Sequence, residues 1–100
     1  MEEFLTTREK IFKLLEETGE FFTAREIKEI LHLDSEREVY DHIQHVLRSA
    51  KRKGFKLVVK YPVCSDCGFV FDKLTKPSRC PVCGGQKIVP PRFAIRRSYS

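Results

Sequence analysis

Four cysteines are the only residues of this chain whose types and spacing specify one chemistry. Cys64-Ser-Asp-Cys67-Gly68 and Cys80-Pro-Val-Cys83-Gly84 form two C-x-x-C pairs with 12 residues between them. Two residues between cysteines let a tight turn aim both sulfurs at one point. Two such turns facing each other offer four thiolates in a tetrahedron, which Zn²⁺ binds and which iron accepts in a rubredoxin-type site. Gly68 and Gly84 follow the second cysteine of each pair, where a residue without Cβ lets the backbone double back and turn N–H groups toward sulfur. Phe69 and Phe71 alternate on one short strand and are placed to wall the metal with apolar surface. Two disulfides or four unrelated buried thiols are the plain alternatives, but nothing in the sequence suggests secretion. The expectation is one metal per chain on Cys64, Cys67, Cys80 and Cys83, zinc first and iron as the alternative ion.

Three helices and a pair of strands must position this site. Thr6-Thr-Arg-Glu9 reads as a capping box opening a helix that turns Ile11, Phe12, Leu14 and Leu15 inward and ends at Gly19. A second box, Thr23-Ala-Arg-Glu26, has Phe22 and Ile27 placed as a hydrophobic staple. It opens a short helix with Ile27, Ile30 and Leu31 as its buried face. His32 falls at that helix's end, where it is expected to cap carbonyls. Ser35-Glu-Arg-Glu38 reads as a third box. The helix after it buries Val39, Ile43, Val46, Leu47 and Ala50 along one stripe and runs out in Lys51-Arg-Lys-Gly54.

Three short helices with a tight turn between the last two suggest a helix-turn-helix. Phe55, Leu57, Val59 and Tyr61 then alternate with Lys56, Val58 and Lys60, as in a strand with one apolar face. The only other clear alternation is Arg92-Phe-Ala-Ile-Arg96, beyond the cysteines. Paired antiparallel, the two strands put Leu57, Val59, Phe93 and Ile95 on the core and Lys56, Lys60, Arg92 and Arg96 in water. The expected fold is α+β: a winged helix-turn-helix of three helices plus a β-hairpin wing, with a zinc-ribbon or rubredoxin-like knuckle module inserted at the wing tip. The boundaries read as 1–62 for the winged helix-turn-helix with its first wing strand, 63–89 for the ribbon, and 90–100 for the second wing strand and tail.

Charge points to the partner. Residues 1–50 hold 7 Lys/Arg against 12 Asp/Glu, whereas residues 51–100 hold 12 against 2. The second half is the natural landing place for an anion, and double-stranded DNA is the partner expected. The candidate contacts are Arg37, Gln44, Arg48, Lys51 and Arg52 on the third helix, with Lys56, Lys60, Arg92 and Arg96 on the hairpin. Arg and Gln are the right types for guanine and adenine edges in the major groove. Glu36, Glu38 and Asp41 at the start of the same helix repel phosphate. A protein partner, met through the ribbon or the acidic helical face, is therefore the alternative to DNA.

Other classes find less support. No segment has the ~20 apolar residues of a membrane span, and the acidic N-terminus lacks a signal-peptide pattern, so a cytoplasmic location is expected. No phosphate-cradling glycine loop or Ser/His/Asp arrangement is present, and four protein ligands leave a metal no open position, so an enzyme is not expected. No small-molecule substrate is evident. His42-x-x-His45 spaces two imidazoles one helical turn apart, but nothing completes a second metal set. The chain has no Asn, no Trp and one Met, with 33% charged residues, which leans toward a thermophilic source.

The succession Thr23-Ala-Arg-Glu-Ile27, Glu38-Val-Tyr40, His45-Val46, Leu57-Val-Val59, C-x-x-C-G, Lys76-Pro-Ser-Arg-Cys80-Pro-x-Cys83 and Pro90-Pro-Arg-Phe93 resembles the archaeal predicted transcriptional regulators. In that family a winged helix-turn-helix is fused to a zinc ribbon. The resemblance covers nearly the whole chain and implies DNA binding, zinc and a regulatory role. Cys64 to Gly84 is also similar to the short rubredoxin-like domain of rubrerythrins, which keeps iron and a rubredoxin-like electron carrier among the alternatives.

Overall fold

The computed structural model describes residues 5–98; residues 1–4 and 99–100 lie outside the described residues. The elements in order are α1 (Thr7–Thr18), β1 (Phe22–Thr23), α2 (Ala24–Leu31), α3 (Glu36–Arg52), β2 (Phe55–Lys60), β3 (Val63–Cys64), β4 (Ile88–Val89) and β5 (Arg92–Arg97). The three helices pack on one face of an antiparallel sheet ordered β1-β5-β2. A ribbon with its own small sheet, β3-β4, is inserted between β2 and β5. No helix among the described residues is long and apolar enough to cross a membrane.

The helices begin where hydroxyls satisfy free backbone N–H groups. Thr6 and Thr23 each accept from the N–H three residues on, and Glu9 and Glu26 reach back to the cap N–H, so both boxes are complete. The third is half a box. Ser35 accepts from the Glu38 N–H, but the Glu38 carboxylate accepts from the Asp34 N–H at 3.3 Å instead. Gly19 closes α1 at φ 66°, as its place after the last apolar residue requires. His32 closes α2 with its backbone, not its ring. It sits at φ 56°, and its N–H bonds the Lys28 carbonyl. An L-residue is uncommon there, and His is among the types that tolerate it.

β2 and β5 pair antiparallel, as expected, and the register sets Leu57 opposite Ile95 and Val59 opposite Phe93. Their inward side chains join Ile11, Leu15, Ala24, Ile27, Val39, Ile43 and Val46 in one core. The sheet has a third strand that the alternation does not announce. Phe22 and Thr23 pair with Phe93 and Arg92 on the other edge of β5. Two further expectations fail at the rim. Ile30 is 47% exposed, because it lines an open groove between the end of α2 and Leu14 and Glu17 of α1. Tyr61 is 43% exposed, because β2 ends at Lys60, before buried Pro62 turns the chain into the ribbon.

The ribbon does not merely extend from the strand ends. Leu74, midway between the two cysteine pairs, packs on the main core beside the helices. The Tyr40 hydroxyl on α3 is buried near the Lys76 backbone N–H but makes no hydrogen bond of normal geometry. Burial first, and the Glu36 carboxylate second, push the Tyr40 phenol above its ordinary pKa of 10.0 despite that N–H. The folded state thus holds this proton more tightly than the unfolded chain, so stability is lost as pH rises past about 10. Tyr40→Phe removes both effects. It is expected to be neutral or slightly stabilising at pH 7, and to leave a shallower alkaline unfolding curve. Chemical denaturation at pH 7 and pH 10.5 checks both.

Candidate metal centre

Two backbone turns of the same construction carry the four sulfurs. In the first, the Gly68 N–H donates to the Cys64 carbonyl at 2.8 Å, and the Cys64 N–H donates to the Phe69 carbonyl at 2.9 Å. In the second, Gly84 N–H to Cys80 carbonyl measures 2.9 Å, and Cys80 N–H to Gly85 carbonyl 2.8 Å. Gly68 and Gly84 sit at φ 81° and 74°, which only glycine adopts freely, as expected of those positions. β3 pairs with β4, Cys64 facing Ile88, and the Ser65 hydroxyl and N–H both donate to the Lys87 carbonyl. These bonds tie the first turn to the strand that follows the second.

The sulfurs converge. All four Sγ atoms lie within 4.8 Å of one another, with Cys64–Cys83 and Cys67–Cys80 each at 3.6 Å. Four thiolates about 2.3 Å from zinc in a regular tetrahedron stand roughly 3.8 Å apart. A disulfide needs about 2.05 Å, and all four cysteines are free. The geometry fits one tetrahedral metal ion. Among the described residues this is the one group of His, Cys, Asp and Glu side chains gathered closely enough to hold a metal, and His42 and His45 form no second site. His42 instead faces Glu38 across 3.9 Å of the same helix.

Backbone N–H groups at the sulfurs favour thiolate, and the crowding of four sulfurs opposes it. The Val82 and Gly85 N–H groups point at Cys80 and Cys83 sulfur, each at 3.4 Å. Burial opposes ionisation of Cys80, but the N–H groups of Cys83 and Val82 and the neighbouring thiols outweigh it and lower its pKa to about 7. At Cys67 the Phe69 N–H favours the thiolate, yet local desolvation and the other three sulfurs prevail and push the thiol up to about 12. Cys64 and Cys80 are buried with Phe71 and Ile88, whereas Cys67 and Cys83 are exposed. Phe71 is the apolar wall that the sequence leads one to expect. Phe69 stands edge-to-face against it, 5.0 Å between centroids, and is 36% exposed.

Residues 6–58 match the family model described as PF0610-like, N-terminal, and residues 62–98 match the PF0610 rubredoxin-like zinc beta-ribbon domain. The chain belongs to the PF0610-like family. Its fold is similar to the solution NMR structure of protein PF0610 from Pyrococcus furiosus. The TM-score is 0.77 at 33% sequence identity, covering 92% of this chain and 90% of that one. No curated protein matches the chain. The ribbon of this PF0610-like protein is thus a four-cysteine zinc module, and one zinc ion per chain fits its geometry.

The nine candidate nucleic-acid contacts divide between two surfaces. Arg37, Gln44, Arg48, Lys51 and Arg52 are all exposed on α3. Lys56, Lys60, Arg92 and Arg96 are exposed on the face of the sheet turned away from α3, since the alternate residues of the same strands form the core. Sequence reasoning missed Phe21 here. Lys60 Nζ lies 4.4 Å from the Phe21 ring centroid and Arg96 Cζ 5.5 Å, and Arg96 also donates to the Gly19 carbonyl. Phe21 therefore covers the middle of the outer face, where Ala94 is fully buried. An adjacent Phe21-Phe22 pair in extended backbone must send one ring to each face, which was the available signal.

Proposed function

We propose that this PF0610-like chain is a small binding protein for double-stranded DNA, acting in transcription regulation, and that it has no catalytic role. Its α1-α2-α3 order followed by the β2–β5 hairpin supports a winged helix-turn-helix, with the zinc ribbon as the body of the wing. One observation carries the reading. Lys56 stands directly opposite Arg96 and Lys60 opposite Arg92. Like charges in direct cross-strand register are destabilising. Among the described residues, no carboxylate pairs with any of the four. A face built this way suits a polyanion, which relieves the repulsion when it binds.

Lys60 and Arg96 also hold Phe21, so Lys56 and Arg92 make the cleaner test. Binding to duplex DNA should weaken with salt at a slope of about −4 to −5 in log K against log salt, for roughly five phosphates neutralised. The pair Lys56→Glu and Arg92→Glu should cut affinity at least tenfold on every sequence and flatten that slope by about 2. Phosphate contacts position a protein without reading bases, so no sequence should be spared. Fluorescence anisotropy across a salt series measures both. Absence of duplex binding even at low salt rejects the reading. It would favour instead a protein partner for the acidic start of α3, where Glu36 and Asp41 are exposed.

A further inference from the structure

We propose that the ribbon carries a binding site for one unpaired nucleotide, in a cavity of about 310 Å³ beside the metal centre. This inference rests on the ribbon alone and not on the cationic face of the sheet.

Phe69 and Phe71 form one corner of the cavity, their planes at 89°. A flat aromatic ligand entering that corner stacks on the exposed Phe69 ring and meets the mostly buried Phe71 ring at its edge, the two arrangements aromatic pairs prefer. Pro77 and Pro81 also line the cavity and lose almost no side-chain freedom when a ligand is held. Arg79 and Pro81 flank the metal ligand Cys80 in sequence, so the ion that fixes Cys80 also fixes this wall.

The charges select the ligand further. Lys73 and Arg79 line the same cavity, and among the described residues neither pairs with a carboxylate. They suit a phosphate. Asp72, the one carboxylate there, can accept from the exocyclic amine of a base, as acidic side chains do from cytosine N4. An acidic peptide would satisfy the two cations but would meet Asp72 with like charge and leave the aromatic corner without a flat partner. Bases inside a duplex have both faces covered, so the corner takes only an unpaired base, from a single strand or a free nucleotide.

The zinc-loaded full chain would be titrated with the octamers (dC)8 and (dT)8, with CMP, and with a proline-rich acidic peptide. Ring signals of Phe69 and Phe71 would be followed by NMR and affinity by anisotropy. The expected result is a shift of the Phe69 and Arg79 signals by (dC)8 and CMP, with (dC)8 bound more tightly than (dT)8. Stronger binding of the octamer than of CMP assigns a strand as the source, and equal binding assigns a free nucleotide; either upholds the site. Phe69→Ala should weaken (dC)8 binding tenfold or more. Because that change also touches ribbon packing, Phe69→Tyr should bind as the parent does, and Arg79→Gln should lose severalfold with a salt slope lowered by about 1. Ring signals unmoved by any nucleotide, an unchanged affinity in both Phe69→Ala and Arg79→Gln, or response to the peptide alone would overturn the site. The variant carrying Lys56→Glu and Arg92→Glu should leave the CMP-induced ring shifts intact, so this site and the duplex-binding face fail separately.

Discussion

Removing the zinc, or replacing Cys80 with Ser, is expected to unfold the ribbon and leave the three helices largely intact. The ribbon's own core consists of Cys64, Phe71, Cys80 and Ile88, so two of its four members are metal ligands. β3 and β4 are two residues each, too short to stand alone. Structural zinc is typically worth about 10–16 kcal/mol of apparent binding at neutral pH, and nothing else in this segment approaches that. The helices rest on a separate core whose members span α1 to β5, and the metal touches none of them. Without zinc the 31 residues from Tyr61 to Pro91 become a long loop closed by the β2–β5 pairing. Loop closure costs little more as a loop grows, so that pairing should survive. Loss of Leu74 from the main core should lower the melting temperature of the remainder by several degrees.

The sign of the pH dependence follows from the thiols. A metal binds thiolates, so every thiol still protonated in the free cluster must lose its proton on binding. Because the metal-free ribbon is unfolded, its cysteines titrate near the ordinary value of about 8.5, so at neutral pH nearly four protons should leave per zinc bound. Zinc affinity must therefore fall with falling pH, and more steeply below about pH 8 than above about pH 9. Calorimetry in buffers of different ionisation enthalpy counts the protons, and amide exchange locates the unfolding. Coincident loss of ribbon and helices would show instead one cooperative unit, joined through Leu74 and Tyr40.

Local rules make much of this fold legible in the sequence. Thr6, Thr23, Gly19 and Gly54 each act on a few neighbouring residues only, so their signals survive there. The β2–β5 pairing is legible across 31 residues because both strands alternate with period 2 and each needs a partner for its apolar row. The cysteines are legible because a tetrahedral site admits few spacings. What escapes depends on contacts between distant segments. β1 is two residues long, and its Thr23 doubles as the cap of α2, so the capping signal hides the strand. Leu74 is a lone apolar residue amid Lys73, Thr75 and Lys76, with no periodicity to show that it anchors the ribbon to the core. Glu38 completes no box because the Asp34 N–H lies within its reach, a geometry the motif alone cannot display. The nucleic-acid candidates are right in type as exposed polar and cationic groups, but a sequence cannot show that a sheet turns four of them away from the helix carrying the other five.

Phe93→Ala is expected to be the most damaging single change in the main core. Phe93 is fully buried in the central strand, opposite Phe22 of β1 on one side and Val59 of β2 on the other. Its ring also meets Tyr40 of α3 edge-on, with centroids 6.4 Å apart and planes at 72°. One side chain thus joins both sheet edges and the third helix. Truncating a buried Phe to Ala removes its transfer free energy and leaves a cavity, for a cost of about 3–5 kcal/mol. The upper part of that range is the expectation, because the surrounding groups belong to several elements that cannot all close on one void. Domains of this size have only about 5–15 kcal/mol in total, so the variant should sit near its unfolding midpoint at moderate temperature. Urea denaturation of the zinc-loaded protein checks this. Leu57→Ala provides the comparison, since Leu57 is buried at the flank of the same core, 9% exposed, and should cost less. A loss below about 2 kcal/mol for Phe93→Ala would mean that β1, β2 and α3 repack without it, and that the sheet is not organised around this ring.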